Sequence, residues 1–228
     1  MDLTIGSAVA AVVIVVTATD GYRHESIETA EEVIAAIARD SGRFTPRFVR
    51  TEEEMNAALT AETLGEAKLV MFVNTTGELR WSGRQSLLDW IAAGGSFIGV
   101  HSASDTWHEW PEYLAMIGGE FASHPPESEV SITVDDPFHP STRHLSSPLT
   151  IFEEIYEFKG FSRDRVHLLL SLQGAPLAWH RPFGKGRVFY TALGHRADIW
   201  QSDWFQQHLR GAIEAMLMPP GRRRAVTP

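Results

Sequence analysis

Three histidines sit where an imidazole can do chemistry. His24 lies in Gly21-Tyr22-Arg23-His24-Glu25, His101 in Gly99-Val100-His101-Ser102-Ala103, and His195 in Gly194-His195-Arg196-Ala197-Asp198. Neutral imidazoles bind divalent metals and carry protons near neutral pH. His101 follows directly on the apolar run Phe97-Ile98-Gly99-Val100. A short apolar strand ending in Gly-x-nucleophile-x exposes one side chain on a sharp turn. Ser102, served by His195, is a second candidate nucleophile, but the segment lacks the second glycine of G-x-S-x-G. On position alone, His101 equally suits a turn histidine satisfied by local backbone.

Carboxylates and aromatic rings supply the rest of a candidate site. Asp105 stands four residues after His101 as a candidate acid or base. Glu120 and His124 have a helical metal-ligand spacing, although Gly118-Gly119 and Pro125-Pro126 argue against a helix there. Strand alternation over residues 153–157 puts Glu154 and Tyr156 on one face, with Glu153, Ile155 and Glu157 on the other. Acids beside a tyrosine suit a hydroxyl-rich ligand, though a solvated strand face is the commoner use of such a run. Tyr22, Trp107 and Tyr113 are candidate platforms for a sugar ring, with Arg23 as a polar tip. Trp81, Trp110, Trp179 and Trp200 add aromatic surface, and core packing competes for Trp179 and Trp200.

The elements needed to position these residues alternate. Apolar strands are expected at residues 12–17, 44–49, 68–73 and 96–100. Helices are expected at 26–39, at 51–59 behind a Thr51/Glu54 capping box, and at 82–93 behind a Ser82/Gln85 capping box. Gly94-Gly95 stops the last of these. Continuous apolar strands separated by helices imply a parallel sheet covered on both faces, with ligands at the carboxyl ends of its strands. Residues 107–147 read as an irregular lid or binding loop, containing a short strand near 129–134. Strands at 151–158, 166–172, 176–180 and 187–190 follow, with a hairpin turn at 184–186. A helix at 203–218 ends at Pro219-Pro220.

Composition narrows the function. The net charge of −9 argues against a nucleic-acid partner. The only basic run, Arg222-Arg223-Arg224, reads as a solvated tail. The absence of cysteine excludes disulfides, thiolate catalysis and cysteine zinc sites. The apolar run at residues 8–16 is too short to span a bilayer and has no preceding Lys or Arg. It reads as a buried strand, with a leader sequence as the lesser reading.

Taken together, the chain resembles the trehalose-utilisation (ThuA-like) family. The matching segments are Gly21-Tyr22-Arg23-His24-Glu25-Ser26, Gly99 to Asp105, Tyr113 through Gly119 to Phe121 with His124-Pro125, Glu154-Ile155-Tyr156, and Gly184 to Tyr190 with Gly194-His195. They run in order over roughly residues 12–217. The resemblance implies a flavodoxin-like fold similar to class I glutamine amidotransferases. His101 then stands where an amidotransferase carries its cysteine, and His195 resembles the histidine serving that cysteine. Without cysteine, amidotransferase chemistry is excluded. The resemblance also implies a role with disaccharides such as trehalose, through 3-keto-sugar intermediates.

The expectation is one α/β domain over residues 1–228, with a core at about 12–217 and a tail at 219–228. It is a three-layer sandwich with a mostly parallel sheet and additional antiparallel strands. Its function is expected to be hydrolysis, elimination or isomerisation of a disaccharide or keto-sugar, with a non-catalytic sugar-binding protein as the rival. His101, His24, His195 and Asp105 are the expected catalytic groups. Tyr22, Arg23, Trp107, Tyr113, Glu154 and Tyr156 are the expected substrate contacts. A divalent metal, zinc or manganese, would sit on His24, His101 and His195, with Glu120 and His124 as alternative ligands. The expected setting is cytoplasmic, with no membrane partner and a homo-oligomer left open.

Overall fold

A computed structural model describes residues 10–218. Both the basic run at 222–224 and the rest of the expected tail lie outside these residues. Five parallel strands form the first part of the sheet: β1 (Ala11–Val16), β2 (Phe44–Val49), β3 (Ala67–Val73), β4 (Ser96–Val100) and β11 (Gly186–Thr191). Four antiparallel strands extend it: β6 (Ser128–Val134), β7 (Leu149–Glu153), β9 (His167–Leu172) and β10 (Ala175–Phe183). The order is β2-β1-β3-β4-β11-β10-β9-β6-β7. β5 (Glu120–Ser123) pairs with β8 (Glu157–Lys159) in a separate two-stranded sheet. The fold is therefore the expected flavodoxin-like three-layer sandwich with added antiparallel strands.

The continuous apolar runs work as the sheet requires. In β1, Val13 and Val15 pack on one face and Ile14 and Val16 on the other. The first face meets α1 (Ile27–Ser41) and α7 (Asp203–Leu217) through Ile34, Leu209 and Ile213. The second meets α2 (Glu52–Ala58), α3 (Ala61–Glu66), α4 (Arg84–Ala92) and α5 (Pro111–Ile117) through Met55, Leu64, Leu87 and Met116. Each such buried aliphatic side chain stabilises the fold by about 1.5–3 kcal/mol.

Several elements differ from expectation, each for a local reason. Ser82 and Gln85 form no capping box: α4 starts at Arg84 without a side-chain cap, and Gln85 instead bonds Asp89. At α2, Thr51 does accept from the Glu54 amide, but the Glu54 carboxylate accepts from the Arg50 amide, one residue before the cap. The sequence reading missed α3, whose reciprocal Thr60–Thr63 cap is its start signal. It also missed α6 (Ala197–Gln201). The stretch at 107–147 is not a structureless loop. It contains α5, begun by Pro111 in the first turn, and β5. The single strand expected at 151–158 is two, β7 and β8, broken at residues 154–156.

The end of β4 and the turn after it are tightly constrained. His101 has φ of +52°, an uncommon conformation for a residue with a side chain. The Tyr190 hydroxyl donates to the His101 carbonyl at 2.7 Å and also contacts Ser104 Oγ at 2.8 Å. A Cβ on Gly99 would stand 2.9 Å from Ile117 Cδ1 and 3.0 Å from the Tyr190 ring. Gly99→Ala is therefore expected to cost about 1–3 kcal/mol by overpacking, read as a lower urea midpoint with an unchanged slope.

Candidate functional site

The three histidines meet. His101 leaves the end of β4, His195 follows β11, and His24 lies in the loop between β1 and α1. β4 and β11 are neighbours, whereas β3 separates β1 from β4. Asn74, at the end of β3, closes that gap: its Nδ2 donates to Ser26 Oγ and to the Gly194 carbonyl, each at 3.1 Å. Gly194 in turn has φ of +113° and accepts from Trp200 Nε1 at 2.8 Å. Buried ties thus fix both flanking loops to the strand between them.

Each ring places one nitrogen inward. His101 Nε2 stands 3.1 Å from His24 Nε2 and 3.2 Å from His195 Nδ1. One ligand nitrogen from each of the three lies within 4.8 Å of the others, and they form the sole such group of three among the described residues. The outward nitrogens face acceptors. His101 Nδ1–H donates to the Ala192 carbonyl at 2.7 Å. His195 Nε2–H faces Glu127 Oε1 at 3.1 Å, and His24 Nδ1–H faces Ser102 Oγ at 3.4 Å. The Ala192 carbonyl assigns the His101 tautomer and leaves its Nε2 lone pair inward. With Nδ1–H of His24 towards Ser102 and Nε2–H of His195 towards Glu127, the other two inward nitrogens are unprotonated as well. Ser102 is buried against His24 and does not contact His195, so no serine–base pair with His195 forms.

Around the histidines, acceptors outnumber donors. Glu154 Oε1 lies 3.6 Å from His101 Nε2 and 3.5 Å from His195 Nδ1. His124 Nδ1 lies 3.1 Å from the other Glu154 oxygen and is hydrogen-bonded to the Pro125 carbonyl at 3.0 Å. The Tyr156 hydroxyl, 2.9 Å from His101 Nε2, is the one neighbouring hydroxyl donor at that nitrogen among the described residues. Burial, reinforced by His195, lowers the His24 pKa to about 4. Burial and then His24 also hold His101 well below its ordinary value, against the opposing pull of the Ala192 bond. Both rings are neutral at pH 7. Burial raises Glu154, with His195 and His124 opposing. Glu153, pushed up to about 8 by burial, accepts from the Gly194 amide at 3.2 Å behind the site.

A cavity of about 410 Å³ opens onto this group, lined among others by Tyr22, His24, Asp105, Phe121, Glu154 and His195. His124 and Tyr156 complete its wall. Asp105 is braced from behind by His108, which bonds Asp105 and Glu120 at 2.8 Å each. Glu120 also pairs with Lys159 at 2.7 Å. Burial raises the Asp105 pKa, with the His108 bond opposing. For His108, burial works downward, but the bonds to Glu120 and Asp105 outweigh it and leave the pKa raised.

Most predicted site residues therefore line one cavity, and five do not: His101 is fully buried behind the His24, His195 and Tyr156 side chains that line it, and four others lie elsewhere. Trp107 and Tyr113 are fully buried, donating to the carbonyls of Leu79 and Ala103. They are core residues because α5 and the preceding turn carry them under the sheet's helical cover. Arg23 donates to the Thr17 carbonyl at 3.2 Å and does not line the cavity. The Glu120 carboxylate is taken by His108 and Lys159. Glu154 and Tyr156 reach the cavity, but from the break between β7 and β8 rather than from one strand face. The sequence reading missed Asn74, Glu127 and His108.

A flavodoxin-like sheet with its polar cluster at the strand ends, and a histidine on the elbow, defines the class of protein. The particular family follows from comparison: the sequence model of ThuA, described as trehalose utilisation, matches residues 12–214, and the chain belongs to that family. Membership ties it to carbohydrate utilisation. No curated protein matches the chain. Among solved structures, a ThuA-like protein from Bacteroides uniformis is similar at 19% identity and a TM-score of 0.74, over 92% of this chain and 93% of that one. A ThuA-like protein from Parabacteroides merdae gives 20% identity and 0.74, over 91% and 90%. A cytoplasmic protein from Salmonella typhimurium gives 9% and 0.65, over 90% and 98%. No helix among the described residues is long and apolar enough to cross a membrane.

Proposed function

We propose that the protein is a cytoplasmic metal-dependent enzyme acting on a disaccharide or its 3-keto derivative. One observation carries the metal: two further inward imidazole nitrogens and a carboxylate oxygen lie 3.1–3.6 Å from His101 Nε2. Lone pairs so placed repel unless a cation lies among them. Two nitrogens on one tetrahedral zinc stand about 3.3 Å apart, close to the two spacings from His101 Nε2, while all three nitrogens lie within 4.8 Å of one another. His24 Nε2, His101 Nε2 and His195 Nδ1 would hold zinc or manganese. A metal there would polarise a sugar oxygen or lower the pKa of a bound water.

The remaining groups divide the work. Glu154, buried and raised, suits proton abstraction from water or from a sugar carbon next to a carbonyl. His124 stands beside its second oxygen. Asp105, on the cavity wall, suits protonation of a departing glycosidic oxygen, and His108 sets how readily it holds that proton. Replacing His108 by Leu removes the group that opposes burial at Asp105. The Asp105-dependent limb of the pH–rate profile is then expected to move to higher pH, with little change in bound metal. An unmoved limb would remove Asp105 from the acid role.

Elemental analysis of the purified protein and product analysis test the whole reading. Expected are about one zinc or manganese per chain and a new product from trehalose or 3-keto-trehalose that chelator suppresses. Saturable binding without product would make it a sugar-binding protein instead.

A further inference from the structure

A second cavity, of about 440 Å³, adjoins the first and shares two of its walls, Tyr22 and His195. Its far side is built by Glu25, Glu127, Asp198 and Gln201. Tyr22 stands between the cavities with its side chain 63% exposed, and its ring meets His24 edge-on at 4.8 Å. An exposed ring held by its edge presents a face to whatever spans both spaces.

The polar lining is sorted into bound and free groups. Arg196 holds Glu127 at 2.8 Å and Asp198 at 2.9 Å, and His195 holds the other Glu127 oxygen at 3.1 Å. Those side chains are set in place. Glu25 and Gln201 have no side-chain hydrogen bond or ion pair among the described residues. They offer acceptors, and Gln201 also donors, to a ligand. Three carboxylates against one guanidinium leave the lining acidic, which disfavours a phosphate. A neutral ligand rich in hydroxyls, with one apolar ring face, meets all of these groups.

We infer that this cavity is the subsite for the second ring of an unphosphorylated disaccharide, whose first ring lies in the histidine cavity. The ring stacks on Tyr22, and its hydroxyls reach Glu25 and Gln201. The inference rests on the carbohydrate reading of the histidine cavity. It adds that the enzyme selects disaccharides over monosaccharides, and neutral sugars over phosphorylated ones.

Calorimetric titration of the metal-loaded protein tests this, using glucose, trehalose, trehalose 6-phosphate, and the 3-keto derivatives of the first two. The expected result is that a disaccharide binds about tenfold or more tightly than its monosaccharide, and that the 6-phosphate binds at least tenfold more weakly than trehalose. Glu25→Ala and Gln201→Ala, which line the second cavity and not the first, should each erase most of the disaccharide advantage while changing monosaccharide affinity less than about twofold. Tyr22→Phe should keep the advantage. Equal affinity for mono- and disaccharide overturns the subsite alone. So does an advantage that both alanine variants leave intact, or tighter binding of the phosphate. Binding of no sugar at all overturns the carbohydrate reading and the subsite together.

Discussion

Under the proposed metal-dependent function, replacing His101 by Asn is expected to abolish zinc or manganese binding and to lower turnover by about 1000-fold or more. His101 is the one member of the cluster that faces both other histidines, Tyr156 and Glu154. Its Nδ1–H is fixed on the Ala192 carbonyl, so no rotation can bring a second nitrogen inward without breaking that bond. A metal contributes several kcal/mol of transition-state stabilisation, and about 4 kcal/mol corresponds to a thousandfold in rate. Asn is the right replacement because it tolerates the φ of +52° better than Ala does. The fold should survive, since Tyr190 and Ser104 brace the turn through the backbone carbonyl and each other. Elemental analysis and circular dichroism of the same preparation separate the outcomes. A folded variant that keeps stoichiometric metal and turnover would remove His101 from the centre of the site.

How far the sequence carries the site depends on which contacts are local. His24, His101 and His195 were readable because each follows an apolar strand, and a parallel sheet gathers strand ends at one edge. Their gathering at one edge is expected from that rule; the contact that closes the gap between them is not local. It depends on Asn74 at the end of the intervening strand, whose ties to Ser26 and Gly194 link residues 48 and 120 positions apart. Glu127 carries no local signal, because its contact with His195 is 68 residues away in sequence. His108 carries a weak one, its three-residue spacing from Asp105, while its other partner Glu120 is 12 residues away. Trp107 and Tyr113 were misplaced for the opposite reason. Their types suit a sugar site, and only recognising α5, with its N-terminal Pro111, shows that they pack inward. Glu154 and Tyr156 were chosen on an alternation that the chain does not adopt there. They converge because β7 ends at Glu153, whose carboxylate is drawn under the Gly194 amide.

On the other end of the sheet's added half, a second group of histidines makes stability acid-sensitive. His139 and His180 stack at 5.0 Å, His180 meets His167 at 4.7 Å, and His208 is enclosed by Phe189 and Phe205. Burial, then neighbouring histidines, lowers His139 to about 3 and His180 to about 4. Burial lowers His208 to about 4 against the pull of its bond to the Ser141 carbonyl. A histidine lowered in the folded state takes up its proton in the unfolded chain first. Its contribution is therefore full above pH 6.5 and is lost as pH falls from 6.5 towards 4. Each such proton adds a slope of about 1.4 kcal/mol per pH unit. Glu153 works the other way. Its folded value of about 8 lies above the ordinary 4.5, so it stabilises increasingly as pH falls from 8 to 4.5 and offsets one histidine. With His139 and His180 partly exposed, their share is discounted for solvent screening. His24 and His101, also lowered, add to the loss, and the raised Glu154 and Asp105 offset it, so the net expectation is a loss of about 2 kcal/mol per pH unit below pH 6.5, measured by urea unfolding at successive pH values. His208→Asn isolates the effect. It can keep a donor near the Ser141 carbonyl, yet it cannot take up the proton. It should cost some stability at pH 8 and flatten the acid slope by about 1.4 kcal/mol per unit, because the fully buried His208 contributes without discount. An acid slope unchanged by this substitution would mean that His208 is not among the groups taking up protons on unfolding.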